Sequence, residues 1–411
     1  MSAAATDGPP TQAVIVAGGR GTRLGALTDD RPKPLVEVAG RPFLDHLMAR
    51  LRDEGLTRQL LLLGYRAEMI EAHVGDGRAL GVRARHLVTD PALHTLPRLR
   101  DAAERGALDE TFLLVYCDTF WPLRRDALWA DYVRAGRPPA QVTVYANEDG
   151  FTRDNVRVGE GGRVEAYDRT RSAPGLRGVD IGYVVLRRDA VQALPDVDAQ
   201  VEHVLHPRLV ERGELFAHVT RHRYYDNGKL DRLAATERFL RFAPAVILDR
   251  DGVLNVKPPR AQYVTRPSEF VWRDGSLAAL RAFADAGWRT FVVSNQAGIA
   301  RGAMTHDDLV AVHARMVREA QDAGGRIDGI YVCPHGWDDG CACRKPAPGM
   351  LFAAQRDHDL DLTRTTFVGD DERDAQAAAA AGAPSVLLDD ATSLADVAQR
   401  LIHHTGGLIA V

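Results

Sequence analysis

Cysteine is scarce in this 411-residue chain: four residues, three of them inside one eleven-residue stretch. So few thiols exclude a disulfide-stapled secreted scaffold. Lysine is equally rare, and Lys33, Lys229, Lys257 and Lys345 stand out against a surplus of arginine. In such a chain, a position that keeps lysine hints at a need for a compact, flexible ammonium. No sign of charge dominates: 52 basic against 56 acidic residues leave −4, which excludes a nucleic-acid binder working through a basic surface. No apolar run approaches the ~20 residues that cross a bilayer. The opening MSAAATDGPPTQ has neither region of a signal peptide, and residues 1–12 are expected to form a disordered tail. What remains, 45% hydrophobic and 26% charged, is an ordinary globular composition. The expectation is a cytoplasmic enzyme with no membrane or nucleic-acid partner.

The chain reads as α/β throughout. Ala13–Ala17, Leu60–Leu63 and Thr111–Tyr116 are short continuous apolar runs, as in strands buried on both faces. Between them, Phe43–Arg52 sets Phe43, Leu44, Leu47, Met48 and Leu51 on one helical stripe. The pattern restarts after a predicted helix over Leu230–Phe242. Strands are predicted at Ala245–Leu248, Thr290–Val293, Ile330–Val332, Thr366–Val368 and Ser385–Leu388. Two domains follow, residues 13–240 and 245–411, each able to bury its own core.

In the first, Ala17-Gly18-Gly19-Arg20-Gly21-Thr22-Arg23-Leu24 follows the opening strand. Glycines there permit a tight turn and present N–H groups to an anion, and Arg23 adds a charged fork. A Walker A loop would need Gly-Lys-Ser/Thr, and a dinucleotide fingerprint would need glycine where Leu24 sits. A glycine-rich turn can also be only a turn. Ten residues on, Arg31-Pro32-Lys33-Pro34-Leu35 fixes a lysine that, with Arg23, can neutralise a triphosphate. Asp118 ends the strand at 111–116, and Asp226 lies in Tyr-Tyr-Asp-Asn-Gly. Strand-end carboxylates suit Mg²⁺ on phosphates, although a single Asp is more often a cap.

Together these segments resemble the sugar-1-phosphate nucleotidyltransferase family over residues 12–237, which implies a Rossmann-like nucleotidyltransferase fold. The resemblance implies that Gly18, Gly19, Gly21, Thr22, Arg23 and Lys33 hold the nucleotide, and that Asp118 and Asp226 bind Mg²⁺. The sugar phosphate would attack the α-phosphorus and expel pyrophosphate, a reaction governed by positioning and charge neutralisation. The chain departs from the family at Ala92–Pro97 in the base-reading turn, at Asp168-Arg169 for Glu-Lys, and at Asp180-Ile181-Gly182 for Asn-Ala-Gly.

In the second domain Asp249-Arg250-Asp251-Gly252 leaves the strand Ala245–Leu248. Carboxylates at i and i+2 can share one side of an extended chain, as a nucleophile beside an acid/base requires. A calcium loop would need a closing Glu that is missing. Ser294 ends the next strand before Asn295-Gln296, Arg344-Lys345 supplies cations, and Asp370 follows a further strand. Only 42 residues separate Asp251 from Ser294, and 24 separate Lys345 from Asp370, too few for a cap domain. Cys333-Pro-His335 and Cys341-Ala-Cys343 bracket a polar loop; three Cys and one His complete a closed tetrahedral Zn²⁺ site, hence a structural one. Cys117, alone, reads as a small buried residue.

Asp, Ser, Lys and Asp at successive strand ends resemble the haloacid-dehalogenase phosphatases over residues 245–390, which implies a capless fold of that type. With CPH…CACRKPAPGM and SNQAGIARG, the resemblance narrows to heptose 1,7-bisphosphate 7-phosphatases, with histidinol-phosphate phosphatases sharing much of the pattern. It implies Asp249 as nucleophile and Asp251 as acid/base. Ser294 and Lys345 would hold the phosphoryl group, and Asn295, Gln296 and Arg344 the substrate. Mg²⁺ would sit on Asp249, Asp251 and Asp370, and Zn²⁺ on Cys333, His335, Cys341 and Cys343. The expected substrates are a heptose bisphosphate, a heptose 1-phosphate and a nucleoside triphosphate, with GTP implied by the heptose transferases of this fold. A nucleotide-binding first domain without catalysis is the alternative.

Overall fold

The computed structural model describes residues 8–19, 21, 25, 27–389 and 391–406. Thr22, Arg23 and residues 1–7 of the expected tail lie outside them. The chain forms two compact units, Met1–Leu240 and Arg241–Val411.

The first unit is built on seven strands: β1 (Gln12–Ala17), β2 (Arg58–Leu63), β3 (Arg83–Val88), β4 (Thr111–Tyr116), β5 (Ala140–Tyr145), β6 (Val179–Arg187) and β7 (Leu215–Thr220). Their order is β7-β5-β6-β4-β1-β2-β3, and β6 alone runs antiparallel to both neighbours. The sheet is therefore mixed. All six residues of β1 are buried, as its unbroken apolar run requires. Ala13, Ile15 and Ala17 face one core and Val14 and Val16 the other, the period-two alternation of a strand covered on both sides. The helix Phe43–Asp53 buries its five-residue apolar stripe.

The second unit holds five parallel strands: β8 (Ala245–Asp249), β9 (Arg289–Asn295), β10 (Gly329–Cys333), β11 (Thr366–Gly369) and β12 (Ser385–Leu387), in the order β10-β9-β8-β11-β12. Here too Val246 and Leu248 enter one core and Ala245 and Ile247 the other. The helix expected to reach Phe242 stops at Leu240, because Phe242 takes φ +30° and stacks on the Arg364 guanidinium. No helix of the described residues is long and apolar enough to cross a membrane.

Candidate active sites

In the second unit, parallel neighbours deliver the candidate residues to one edge of the sheet. β8 ends on Asp249, β9 carries Ser294 and Asn295, and β11 runs out just before Asp370. Lys345 Nζ lies 2.8 Å from Asp249 Oδ1 and 2.7 Å from Asp374 Oδ1. Only 3% of its side chain is exposed, and an ammonium so deeply placed needs both carboxylates. Burial pushes Asp249 up to about 7, Lys345 draws it down, and Asp374 and Asp251 add repulsion. Burial opposes the charge of Lys345, yet Asp249 and Asp374 hold it above its ordinary value.

Three carboxylates, from Asp249, Asp370 and Asp374, bring oxygens within 4.8 Å of one another. Asp370 Oδ1 is buried without a hydrogen-bond partner. An orphaned oxygen amid surplus negative charge fits a hard divalent cation such as Mg²⁺. Gly252 makes the approach possible: at φ +94°, a Cβ there would lie 2.1 Å from Asp370 Oδ2.

Asp251 and Gln296, both assigned from sequence, already have partners. The Asp251 carboxylate is not among the converging three. It accepts from Arg250 Nη2 at 2.9 Å, Asn255 Nδ2 at 3.0 Å and Gln296 Nε2 at 2.9 Å. Burial raises it, but these donors outweigh burial and hold it below the usual carboxylate range. Asp374 lies among the converging carboxylates, one helical turn from Asp370, with Oδ1 on Lys345 and Oδ2 accepting from the Asp370 and Asp371 N–H groups. Gln296 is buried, and its amide serves Asp251 and Ser294 Oγ (2.7 Å) as a positioning group. Asn295 clamps the Lys345 main chain, donating to its carbonyl at 3.1 Å and accepting from its N–H at 3.0 Å. Lys257, to which no motif assigns a role, reaches Asp370 Oδ2 at 2.7 Å. These groups border a cavity of about 600 Å³ that also meets Arg344.

The Cys/His group closes on itself. Cys333 Sγ stands 3.6 Å from both His335 Nδ1 and Cys341 Sγ, and Cys343 Sγ stands 3.5 Å from Cys341 Sγ and 3.2 Å from His335 Nδ1. Ligands about 2.0–2.3 Å from a tetrahedral zinc would be spaced by roughly 3.5–3.8 Å, so the donor set fits Zn²⁺. Burial pushes the Cys343 thiol up to about 12, with its neighbours' sulfurs adding to it. Asn295 pairs in register with Cys333, and Gln296 N–H donates to the Cys333 carbonyl at 2.8 Å. The loop is thus wired to the Ser294 turn at one end and to Lys345 at the other.

In the first unit Lys33, 6% exposed, sends Nζ to Asp118 Oδ2 at 2.7 Å. A two-residue antiparallel ladder pairs Thr119 with Asp226, which brings together carboxylates 108 positions apart. Burial raises Asp226, and the charge of Asp118 adds to the rise while Arg232 and Lys33 relieve it. Gly21 has φ +66°, and a Cβ would lie 2.7 Å from Lys33 Cβ, so the loop closes against the lysine stem only as glycine. A Cβ on Gly18 would lie 2.6 Å from Arg98 Cζ, a buried guanidinium the sequence left unassigned; around Gly19 the space is open. Arg98 serves main-chain carbonyls, among them Asp90 at 3.0 Å and Leu93 at 2.9 Å.

A cavity of about 440 Å³ joins Asp118 and Asp226 to Lys229, Arg232, Arg169 and Asp180. Asp168 spends its carboxylate on the N–H groups of Thr170, Ser172 and Ala173, which leaves Arg169, paired with Glu202 at 3.2 Å, to face the cavity. All four lysines of the chain therefore stand at one of the two candidate sites.

The nucleotidyl transferase family matches residues 12–122, and the HAD-hydrolase-like family matches residues 342–408. A D-glycero-beta-D-manno-heptose-1,7-bisphosphate 7-phosphatase from Bordetella bronchiseptica is 43% identical over 154 residues, which cover 38% of this chain and 85% of that protein. A crystal structure of the D,D-heptose 1,7-bisphosphate phosphatase of B. bronchiseptica, complexed with magnesium and phosphate, is 40% identical and covers 39% of this chain and 99% of that one (TM-score 0.37). A D-glycero-alpha-D-manno-heptose-1,7-bisphosphate 7-phosphatase from Burkholderia mallei is 38% identical over 40% of this chain and 91% of its own. HddC from Yersinia pseudotuberculosis, complexed with GMP-PN, is 22% identical and covers 56% of this chain and 99% of that one (TM-score 0.47).

Proposed function

The chain belongs, through its second unit, to the heptose-1,7-bisphosphate 7-phosphatase family and carries a nucleotidyltransferase domain in its first; from this we propose one enzyme with two successive reactions. The second unit removes the 7-phosphate of a heptose 1,7-bisphosphate. The first transfers a nucleotidyl group, guanylyl by the resemblance of its motifs, to the resulting heptose 1-phosphate. The observation that carries the phosphatase reading is Lys345, buried between Asp249 and Asp374 beside the Ser294 turn.

In the phosphatase, Lys345 and the Ser294 hydroxyl receive the phosphoryl oxygens and Asp249 attacks phosphorus. The phosphorus–oxygen bond to C7 breaks, and Asp251, which takes up a proton as the bound phosphoryl group adds negative charge beside it, delivers that proton to the leaving oxygen. Asp251, again a carboxylate, then takes a proton from water, which attacks the aspartyl phosphate and frees phosphate and Asp249. Asp249 and Asp370 would hold Mg²⁺, which supplies charge neutralisation of the phosphoryl oxygens. Cys333, His335, Cys341 and Cys343 would hold Zn²⁺ as a structural ion.

In the transferase, Lys33 and the loop at Gly18–Gly21 bind the triphosphate, and Asp118 and Asp226 would hold Mg²⁺. The sugar phosphate oxygen bonds to the α-phosphorus as pyrophosphate leaves, without a protein-bound intermediate.

Mass spectrometry of products tests both reactions together. The protein is incubated with Mg²⁺ and the α- or β-heptose 1,7-bisphosphate, and with each common nucleoside triphosphate in separate tubes. The expected product is a nucleotide-heptose with GTP. Heptose 1-phosphate alone would leave the phosphatase and remove the heptose transferase. No turnover of the bisphosphate would remove the phosphatase reading, and histidinol phosphate would be assayed next.

A further inference from the structure

The cations around the phosphatase cavity fall into two groups. Lys345, Lys257 and Arg373 are each committed to carboxylates of the site: Asp249 with Asp374, Asp370, and Asp371 respectively. Arg260 and Arg344 border the same cavity, and among the described residues neither faces a carboxylate; Arg344 has one long contact, 3.4 Å, to the His335 carbonyl. Arg301 has no carboxylate partner among them either. What two of these arginines share is Trp337, on the Cys/His loop and 44% exposed at the cavity. The Arg301 guanidinium carbon sits 3.8 Å from its ring centre and that of Arg260 5.9 Å. Both distances are within cation–π range.

The two lips come from different parts of the chain. Trp337 lies between the ligands His335 and Cys341, so the loop that carries it is pinned at both ends. Arg260 sits in a turn closed by Gln262 N–H on the Pro259 carbonyl at 2.9 Å. Pro258 and Pro259 stiffen its approach, and Ala261 holds φ +63°, a conformation that alanine rarely adopts. A strained, proline-stiffened turn that sets an unpaired guanidinium at a cavity lip is an arrangement for a ligand. The floor already holds what one phosphoryl group needs. The unpaired charge at the lip, beside an exposed aromatic face, suits a sugar that carries a second phosphate.

We propose that Trp337, flanked by Arg301 and Arg260, is the specificity platform of the phosphatase site: its ring seats the sugar, and Arg260, which borders the same cavity as Arg344, takes the second phosphate of a bisphosphate substrate. This rests on the phosphatase reading above. The test uses the full chain and steady-state phosphate release from heptose 1,7-bisphosphate and from heptose 7-phosphate, which lacks the second phosphate. Arg260→Met is expected to raise KM for the bisphosphate about tenfold with kcat within about twofold, while KM for heptose 7-phosphate stays in place. Trp337→Leu raises KM for both sugars, and Trp337→Phe restores it. Zinc content of each variant shows whether the loop is intact. Equal shifts for both substrates in Arg260→Met, or losses carried by kcat with KM unmoved, would overturn the platform. So would wild-type KM values in Trp337→Leu. Failure of the wild-type chain to turn over either sugar phosphate removes the phosphatase reading and the platform with it.

Discussion

Both units place a buried lysine on a carboxylate at the end of a central strand, but the surroundings differ. Lys345 faces two carboxylates, and its main chain is clamped by Asn295 and held beside a ligand of the Cys/His tetrad. Lys33 is ion-paired with Asp118, while Asp226 beside it is pushed up by burial. The phosphatase site has its geometry fixed by the protein before any ligand arrives. In the transferase site the described residues set Lys33 on Asp118 and bring Asp226 beside them. The difference follows from what each reaction asks: a covalent nucleophile needs fixed neighbours, whereas in-line transfer between two bound phosphates needs shape and neutralisation.

Separating the two sites is the strongest test of that contrast. Asp249→Asn is expected to lower phosphate release by on the order of a thousandfold or more, because the bond-forming oxygen is lost. Pyrophosphate release by the same protein from supplied heptose 1-phosphate and GTP should be unchanged, and loss of both activities would refute independent sites. Lys33→Ala should lower pyrophosphate release about a hundredfold, as removal of a charge-stabilising donor does, with phosphate release intact by a coupled colorimetric assay. Cys341→Ser removes one arm of the tetrad. Metal analysis should show zinc lost, and calorimetry an earlier unfolding transition of the second unit, since a structural metal contributes folding energy. An unmoved transition with full zinc would sink that assignment.

The smallest effect concerns His46. Burial lowers its pKa from 6.5 to about 4, and its ring accepts from Arg41 and lies 2.8 Å from the Val38 carbonyl. The folded state therefore holds the neutral ring. Its contribution is complete above pH 6.5 and is lost as the pH falls towards 4. Hydrogen exchange across Phe43–Asp53 should quicken over that window, and less so in His46→Gln.

How much of this could be read from the chain depended on distance along it. Asp249, Ser294, Lys345 and Asp370 stand at the ends of recognisable apolar runs, so their convergence follows from a parallel sheet. The Cys/His tetrad is local and needed no fold to be seen. Asp374 was missed, although carboxylates at 370, 371 and 374 across a helix start do carry the i, i+4 signal. Lys257 and Arg260 act through loops whose course no periodicity reports, and Arg98 reaches Gly18 from the helix Thr95–Glu104. Asp251 and Gln296 are assigned by motif, and only the contacts of Asp251 to Arg250 and Asn255, and of Gln296 to Asp251 and Ser294, show which of their atoms are already engaged.

The lysines leave the experimentalist a practical opening. Reductive methylation with ¹³C-formaldehyde would place labels at Lys229 and Lys257, both exposed, and at Lys33 and Lys345 once their carboxylate partners release them. With no other lysine in the chain, each dimethylamino resonance apart from that of the α-amino group would report on one of the two reaction centres. A single spectrum, recorded as nucleotide or sugar phosphate is added, would then show which half of the enzyme each molecule occupies.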